Sequence, residues 1–405
     1  MLVGIFSDTH LGFGSDERSE ETFSRFKEAI ELFKEKKVDF ILHAGDLFDS
    51  ATPTQEVWLS TFDCFAKNNG SIKELKKNTR TGEKNVFVKG VPIIAIHGTH
   101  EHRGKDFANA LDVLEESNAL VHLHVGNIVF EKEINGVKEK VVVHGMGGVP
   151  EKHAKEVLSL YDPKPISSAI NIILFHQSFK EFLPFDDDMV ASLSLADLPD
   201  GFDLIINGHL HWVDEQVIEG KRFLLTGSSV FTQMKNLESK KEKGVFFFDT
   251  LTKKLDFVPY KVQRKLFYEK INFDNSTPEE INSVVEEKIN SFLSSDFEMK
   301  PLIRLKIVGS LAKGFSQSDV KFSLPEEKAI FSISKELVVE DFKKKMLELK
   351  EMQNQKKGVL DLGLTILEKN VEEANLKNFD TSRMFELLSS GDTETAQKVL
   401  LSEKA

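Results

Sequence analysis

The sequence predicts an α/β fold, and three observations carry that prediction. Short apolar runs alternate with amphipathic stretches, so strand and helix follow one another as in βαβ units. Several of the apolar runs end in a carboxylate or an imidazole, which is where an open α/β sheet collects its ligands. The first of them, Ile5-Phe6-Ser7-Asp8-Thr9-His10, sets the pattern at the start of the chain. Asp8 and His10 stand at i and i+2 of an extended segment and so point to one side, where a single cation can meet both.

Length and composition bound the rest. A chain of 405 residues is too long for one ordinary core and implies two or three domains. With 29% charged and 40% hydrophobic residues it reads as a soluble globular protein. Apolar runs such as Ile172-Ile173-Leu174-Phe175 are far shorter than the ~20 residues of a membrane span. Met1 leads into the first strand with no basic and apolar leader, so a cytoplasmic, nucleoid-associated location and no membrane are expected. The single cysteine, Cys64, makes no internal disulfide and reads as a packed small residue. A net charge of −12 argues against a protein that coats nucleic acid nonspecifically, because phosphate contacts need clustered Lys and Arg. It leaves room for an enzyme with local basic patches.

In chain order, Phe23, Phe26, Ile30 and Phe33 mark a crossover helix over about 20–36. Val38 to His43 is the next strand and ends in Gly45-Asp46-Leu47-Phe48-Asp49. Trp58, Leu59, Phe62 and Phe65 line one side of a second helix. Residues 71–89 scatter six Lys and Arg among Asn, Thr and Gly, and read as a solvated loop or a phosphate-contacting patch. Val91 to Ile96 is a third buried strand ending in His97-Gly98-Thr99-His100-Glu101-His102, followed by a helical stripe of Phe107, Leu111 and Leu114. Later strands deliver His176 after Phe175 and Gly208-His209-Leu210-His211 after Ile206. Strands near Phe223 and Val245 to Phe248 complete a first domain over 1–262. A small α+β domain over 263–338 opens with Thr277-Pro278-Glu279-Glu280, a capping box with Pro at N1, and a stripe of Ile281, Val284, Val285, Ile289 and Phe292. From 339 to 405 the chain reads as helices marked by Phe342, Met346 and Leu349, by Leu364, Leu367 and Val371, and by Met384, Phe385, Leu387 and Leu388. A break at Gly391 with Asp392 as N-cap precedes Val399, Leu400 and Leu401. Its short amphipathic helices must dock on this chain or on a partner.

The strand-end groups are Asp8, His10, Asp46, Thr99, His100, His176, His209 and His211. Two carboxylates and several imidazoles exceed the needs of one cation, so two are implied. Two cations roughly 3.5 to 4 Å apart are the usual device for in-line hydrolysis of a phosphate ester. One carboxylate must bridge them, and Asp46 on the central strand suits that place. Nitrogen and oxygen donors without thiolate favour Mn, Fe or Zn over Mg, with Mn²⁺ first. Six further histidines, His43, His97, His122, His124, His144 and His153, read as core residues with their hydrogen bonds satisfied.

Asp8-Thr9-His10-Leu11-Gly12, Gly45-Asp46-Leu47-Phe48-Asp49, Gly98-Thr99-His100-Glu101, Phe175-His176-Gln177 and Gly208-His209-Leu210-His211 together resemble the calcineurin-like metallophosphoesterase signature. The wording of the first two motifs resembles the SbcD / meiotic-recombination-eleven (Mre-eleven) nucleases of double-strand-break repair, and the resemblance extends over nearly the whole chain. It implies a metallophosphoesterase β-sandwich flanked by helices, a small α+β capping domain that binds DNA, and a helical tail, similar to the archaeal form, that docks on an SbcC / Rad-fifty type ABC ATPase. It also implies a Mn-dependent exonuclease and endonuclease acting on DNA double-strand ends with two Mn²⁺ per subunit. By position, one metal falls to Asp8, His10, Asp46 and His211, and the other to Asp46, His176, His209 and Thr99. His100 falls to stabilising developing charge or protonating the leaving oxygen. The family usually carries Asn where Thr99 stands; a hydroxyl is the poorer ligand, so weaker or water-mediated binding of the second metal is expected. Asp49 stands where some members carry a DNA-facing His, and its role is open. The family's homodimer is a four-helix bundle from the helices after the second and third motifs, which here are the Trp58–Phe65 and Phe107–Leu114 stripes; either could instead be core. Two other readings stand beside the nuclease: a phosphatase or small-molecule phosphodiesterase with the same site, and a DNA-end-bridging scaffold with weak catalysis.

Overall fold

A computed structural model of the protein describes residues 1–15, 17–104, 107–134, 136–183 and 192–339, then 363–364, 367–368, 380–389, 393 and 395–397. Two compact units emerge: Met1–Glu269 with Leu293–Arg304 and Pro325–Ser332, and Lys270–Phe292 with Leu305–Leu324 and Ile333–Ala405.

The first unit is built from two sheets. One has six strands in the order β14-β13-β1-β2-β5-β6, formed by β1 (Leu2–Phe6), β2 (Phe40–Ala44), β5 (Ile93–Ile96), β6 (Val121–His122), β13 (Gly244–Asp249) and β14 (Lys254–Pro259). β1, β2, β5 and β6 are parallel, and β13 closes antiparallel on β1. The other has eight strands in the order β11-β12-β10-β9-β8-β7-β3-β4, with β11 (Asp214–Ile218) at one edge, the hairpin β3 (Ile72–Thr79) and β4 (Gly82–Lys89) at the other, and β7 (Gly126–Ile134) beside that hairpin. At its centre β8 (Val137–Met146), β9 (Ile170–Phe175), β10 (Leu204–Asn207) and β12 (Lys221–Leu225) run parallel. The period of two along each strand sorts the side chains. Val3 and Ile5 of β1, with Leu42 and Ala44 of β2, face a core shared with Val141, Val143, Ile172, Leu174, Leu204 and Ile206 of the second sheet. Phe6, Ile41 and Ala95 face the other way, onto helices.

Those helices are the predicted ones. α1 (Glu17–Glu35) buries Phe26, Ile30 and Phe33; Phe33 lies against Gly4, where an added Cβ would come within 2.5 Å of its ring. α2 (Gln55–Ala66) starts at the N-cap Thr54, whose hydroxyl accepts from the Val57 N–H. It buries Cys64 and Phe65, while Leu59 and Phe62 on the same helix are 74% and 43% exposed. Only part of the predicted stripe is therefore core. α3 spans Ala110–Glu116 and buries Leu111 and Leu114. Phe107 falls before the helix and is exposed, because the N-cap Asn109 and its partner Asp112 start the helix later than the apolar spacing suggests. On the outer face of the second sheet, α4 (Glu151–Tyr161) packs Ala154 and Leu158 beside Phe175, Phe223 and Trp212.

The lysine-rich stretch is a correction. Residues 71–89 form the hairpin β3 (Ile72–Thr79) and β4 (Gly82–Lys89), paired from Ile72↔Lys89 to Thr79↔Gly82. Alternation decides it: Val86 and Val88 point into the shared core, and Phe87 and Lys89 point to water. The patch is also partly neutralised. Lys77 Nζ lies 2.7 Å from both Glu115 carboxylate oxygens, and Lys76 3.0 Å from Glu83. Tandem apolar residues diluted by charge read as loop only when the sheet beneath them is out of view.

In the second unit the predicted capping box is present: the Thr277 N–H donates to Glu280 Oε2 at 2.9 Å, and the Glu280 N–H to Thr277 Oγ1 at 3.3 Å. It opens α5 (Pro278–Phe292), which buries Ile281, Val285 and Ile289 and leaves Val284 partly exposed. β15 (Leu266–Ser276), β16 (Leu302–Leu311) and β17 (Ile330–Val339) form a three-stranded sheet in that order. In the tail, α6 (Thr381–Ser389) buries Met384 and leaves Leu388 exposed. Phe342, Met346, Leu349, Val371, Gly391, Asp392, Val399, Leu400 and Leu401 lie outside the described residues. Among the described residues no helix is long and apolar enough to cross a membrane.

Phe33 is fully buried against β1, so Phe33→Ala should destabilise the fold by about 3 to 5 kcal/mol, read as a lower urea midpoint at unchanged slope.

Candidate metal centre

The parallel strands of both sheets release their chains toward one place. β1 ends into Asp8 and His10, β2 into Asp46, β5 into Thr99 and His100, β9 into His176 and β10 into His209 and His211. Backbone bonds lock the first two segments together: Asp8 N–H to Gly45 O at 3.0 Å, His10 N–H to Asp46 O at 3.1 Å and Leu11 N–H to Leu47 O at 2.8 Å. Four of the polar groups sit on left-handed backbone, with φ of 48° at Asp8, 45° at His10, 50° at Asp46 and 70° at His209. Such conformations cost of order 1 to 3 kcal/mol each and persist where the surroundings over-determine them.

The result is a tight set. Asp8, His10, Asp46 and His211 are all buried and offer one ligand atom each within 4.8 Å of one another. His211 Nε2 lies 3.5 Å from Asp8 Oδ1 and 3.2 Å from His10 Nε2. His10 Nε2 is 4.0 Å from Asp8 Oδ1 and 4.0 Å from Asp46 Oδ2. The opposite ring nitrogens are held from behind: His10 Nδ1 by Asp49 Oδ1 at 3.1 Å, and His211 Nδ1 by the Thr232 hydroxyl. Asp49, whose role the sequence left open, thus orients a candidate ligand, as outer partners of ligating imidazoles usually do.

The other candidates extend from Asp46. His176 donates from Nδ1 to the Ala44 carbonyl at 2.8 Å, which leaves Nε2 facing Asp46 Oδ2 at 3.1 Å without an aligned hydrogen bond. The His209 ring lies 5.2 Å from that of His176, and its backbone N–H donates to Asp8 Oδ1 at 3.0 Å. The His100 N–H donates to Asp46 Oδ1 at 2.9 Å, and its ring bonds the Asp49 carbonyl through Nδ1 at 2.8 Å while remaining 41% exposed. Thr99 is exposed.

Buried charge perturbs these groups strongly. Burial raises the Asp8 carboxyl to about 6, against the pull of His176 and with the repulsion of Asp46 added. Asp46 resists the same desolvation, because His176, His10 and His100 surround it and hold it below the usual carboxylate range. His176 overcomes its burial through Asp46 and Asp8 and reaches about 10, whereas burial and His176 depress His209 to about 4. Carboxylates and imidazoles packed this closely, with second nitrogens engaged and the inward ones facing acids, fit divalent cations with mixed N/O ligands. The orphaned His176 Nε2 is the kind of buried atom that a cation would satisfy.

Two features escaped the sequence. Glu101 is fully buried and accepts from the Phe48 N–H at 2.6 Å and the Gly98 N–H at 2.7 Å, tying the second and third motif loops together. Burial beside Asp46 lifts its carboxyl to about 8. Lys243, buried and paired with Glu238 at 2.9 Å, donates to the His211 carbonyl at 2.8 Å and to Ser228 Oγ at 2.9 Å. Glu238 accepts in turn from the Thr232 N–H at 3.2 Å, so one buried ion pair fixes both His211 and the threonine behind it. Lys243 belongs to no motif; Glu101 closes the Gly98-Thr99-His100-Glu101 motif but receives no role from it. Of the histidines read as core with their hydrogen bonds satisfied, His43 fits the burial alone: it is buried and bonds Thr9 Oγ1 through Nε2 at 3.3 Å, its Nδ1 has no hydrogen bond among the described residues, and it is pushed down to about 3 by burial and His176. His153 does not, being exposed on α4. His97, His122 and Asp112 form a hydrogen-bonded row at 2.9 and 2.6 Å. Cys64 is buried as expected, its thiol raised to about 12 by desolvation.

Gly98 leaves no room for a side chain: an added Cβ would stand 2.0 Å from Asp46 Oδ1. Gly98→Ala should therefore displace Asp46 and weaken divalent-cation binding at least ~10-fold, measured by calorimetric titration of the chelator-treated protein with MnCl₂ as the probe.

Residues 1–213 match the family described as calcineurin-like phosphoesterase. The chain is 27% identical over 340 residues to the DNA double-strand break repair protein Mre11 of Thermoplasma acidophilum, covering 81% of each protein. It is 27% identical over 318 residues to the protein of the same name from Sulfolobus acidocaldarius, covering 75% of this chain and 74% of that one. Against the double-strand break repair protein MRE11 of Mus musculus the identity is 27% over 366 residues, 75% of this chain and 50% of that protein. With its matched region containing every strand-end ligand candidate and more than half of its length, the chain belongs to the calcineurin-like phosphoesterases.

Proposed function

We propose that the chain is a divalent-metal-dependent DNA nuclease acting at double-strand ends in break repair, with exonuclease and endonuclease activity. The observation that carries this reading is the convergence of Asp8, His10, Asp46 and His211 into one buried ligand cluster, with His176 and His209 beside it and His100 at its exposed rim. The names of its Mre11 relatives supply the substrate class.

In this reading Asp8, His10, Asp46 and His211 would hold one Mn²⁺, and Asp46, His176 and His209 a second, with an oxygen donor completing the set. Bound there, the cations neutralise phosphoryl charge and lower the pKa of a water. The chain's own groups do the rest. Asp49 and Thr232 keep the inward nitrogens of His10 and His211 in place. His100, anchored through its backbone to Asp46, has Nδ1 against the Asp49 carbonyl and offers Nε2 to the ester, where it stabilises charge or protonates the leaving oxygen. A cavity of about 590 Å³ lined by Lys240, Lys241, Lys261, Arg264 and Lys265, against Glu242 and Glu298, suits a phosphate backbone. Exposed Leu59, Phe62, Phe107 and Val113 supply the apolar surface for a homodimer. Residues 263–338 serve as the capping domain, and the tail over 339–405 docks an SbcC / Rad-fifty type ATPase in the cytoplasm.

His100→Ala should lower duplex cleavage by about 10²-fold or more while Mn²⁺ and DNA binding persist; wild-type cleavage would remove His100 from this role. Replacing Lys240, Lys241, Lys261 and Lys265 together by Gln should lower the slope of log affinity for duplex against log salt by roughly 3 to 4. An unchanged slope would place the DNA elsewhere.

A further inference from the structure

The second set of donors contains an acid that no motif announces. Glu151 lies in the first turn of α4, just beyond the Gly147-Gly148 segment that follows β8. That segment is pressed against the third motif: the Gly148 N–H donates to the His97 carbonyl at 2.7 Å, and a Cβ on Gly148 would meet the Thr99 nitrogen at 2.9 Å. Glu151 touches both segments that deliver the imidazoles of the second set. Its Oε1 accepts from the Ser178 N–H at 3.0 Å, two residues past His176, and stands 3.8 Å from His209 Nε2. Its Oε2 is buried and, among the described residues, accepts no hydrogen bond.

A buried carboxylate oxygen without a donor is destabilising, and such atoms are kept where an ion or water completes them. Thr99 offers the opposite: an exposed, neutral hydroxyl with no hydrogen bond among the described residues. We propose that Glu151, and not Thr99, supplies the oxygen donor that completes the second cation site with Asp46, His176 and His209. The inference rests on the two-cation reading of this centre. It reverses the expectation drawn from Thr99: an anionic oxygen in place of a neutral amide strengthens the site for hard, oxygen-seeking divalent cations such as Mn²⁺.

The test is calorimetric titration of the metal-free full-length protein with MnCl₂, comparing wild type, Glu151→Gln and Thr99→Val, with folding checked by thermal unfolding in chelator. Gln keeps an oxygen for the Ser178 N–H and removes only the charge. Wild type should show two classes of site. Glu151→Gln should weaken the second class at least ~10-fold and leave the first unchanged, and Thr99→Val should match wild type. If Glu151→Gln keeps both classes at wild-type affinity, or Thr99→Val weakens the second, the assignment of Glu151 is overturned while the two-cation reading stands. A single class in wild type overturns both.

Discussion

The structure depends on Asp46 being ionised in a place with almost no water. A carboxylate buried beside a second one, Asp8, costs several kcal/mol unless positive or polarisable groups surround it. His176, His10 and His100 do so from three different segments, and backbone N–H groups bind the remaining oxygens. Each of those imidazoles is oriented from behind by a carbonyl or carboxylate acceptor, so the cluster is held before any cation arrives. Preorganisation of this kind is what a hydrolytic centre needs, because the groups then do not reorganise when charge develops on the ester.

The two-sheet framework exists in a form that makes the cluster unavoidable. Parallel strands from both sheets end at the same edge, and the shared core of Val, Ile and Leu fixes their register. Slippage by one residue would turn every ligand-bearing segment over. Close approach of the segments is then a matter of small residues and tolerated strain: Gly98 against Asp46, Gly45 at φ 94° against the His176 ring, and left-handed Asp8, His10, Asp46 and His209. Behind this layer, Glu101 joins two motif loops and the Lys243–Glu238 pair holds the His211 loop. Those buried acids and the lysine are stabilising only as satisfied networks.

Much of this was legible in the chain itself. The apolar runs announced β1, β2, β5, β9 and β10, and the polar groups after them named the ligand candidates, because a strand's end is a local property. α1 and α5 followed from their spacing, and the Thr277 box from its capping chemistry. The hairpin over 72–89, the late start of α3 and the half-exposed stripe of α2 were not legible. The hairpin and the α2 stripe turned on what a distant segment covers: Lys77 meets Glu115, Val86 and Val88 meet the core shared with the first sheet, and nothing among the described residues covers Leu59. α3, in turn, starts where its cap at Asn109 forms.

The sequence by itself determined the alternation of strand and helix and the identity of Asp8, His10, Asp46, His100, His176, His209 and His211, since periodicity and residue chemistry are written along the chain. The tertiary structure alone decided which nitrogen of each imidazole faces inward, that Asp49, Thr232, Glu101 and Lys243 stand behind the cluster, and that Glu151 comes beside His209. Those are contacts between residues tens to hundreds of positions apart, and only the tertiary packing of the strand-end segments brings them together.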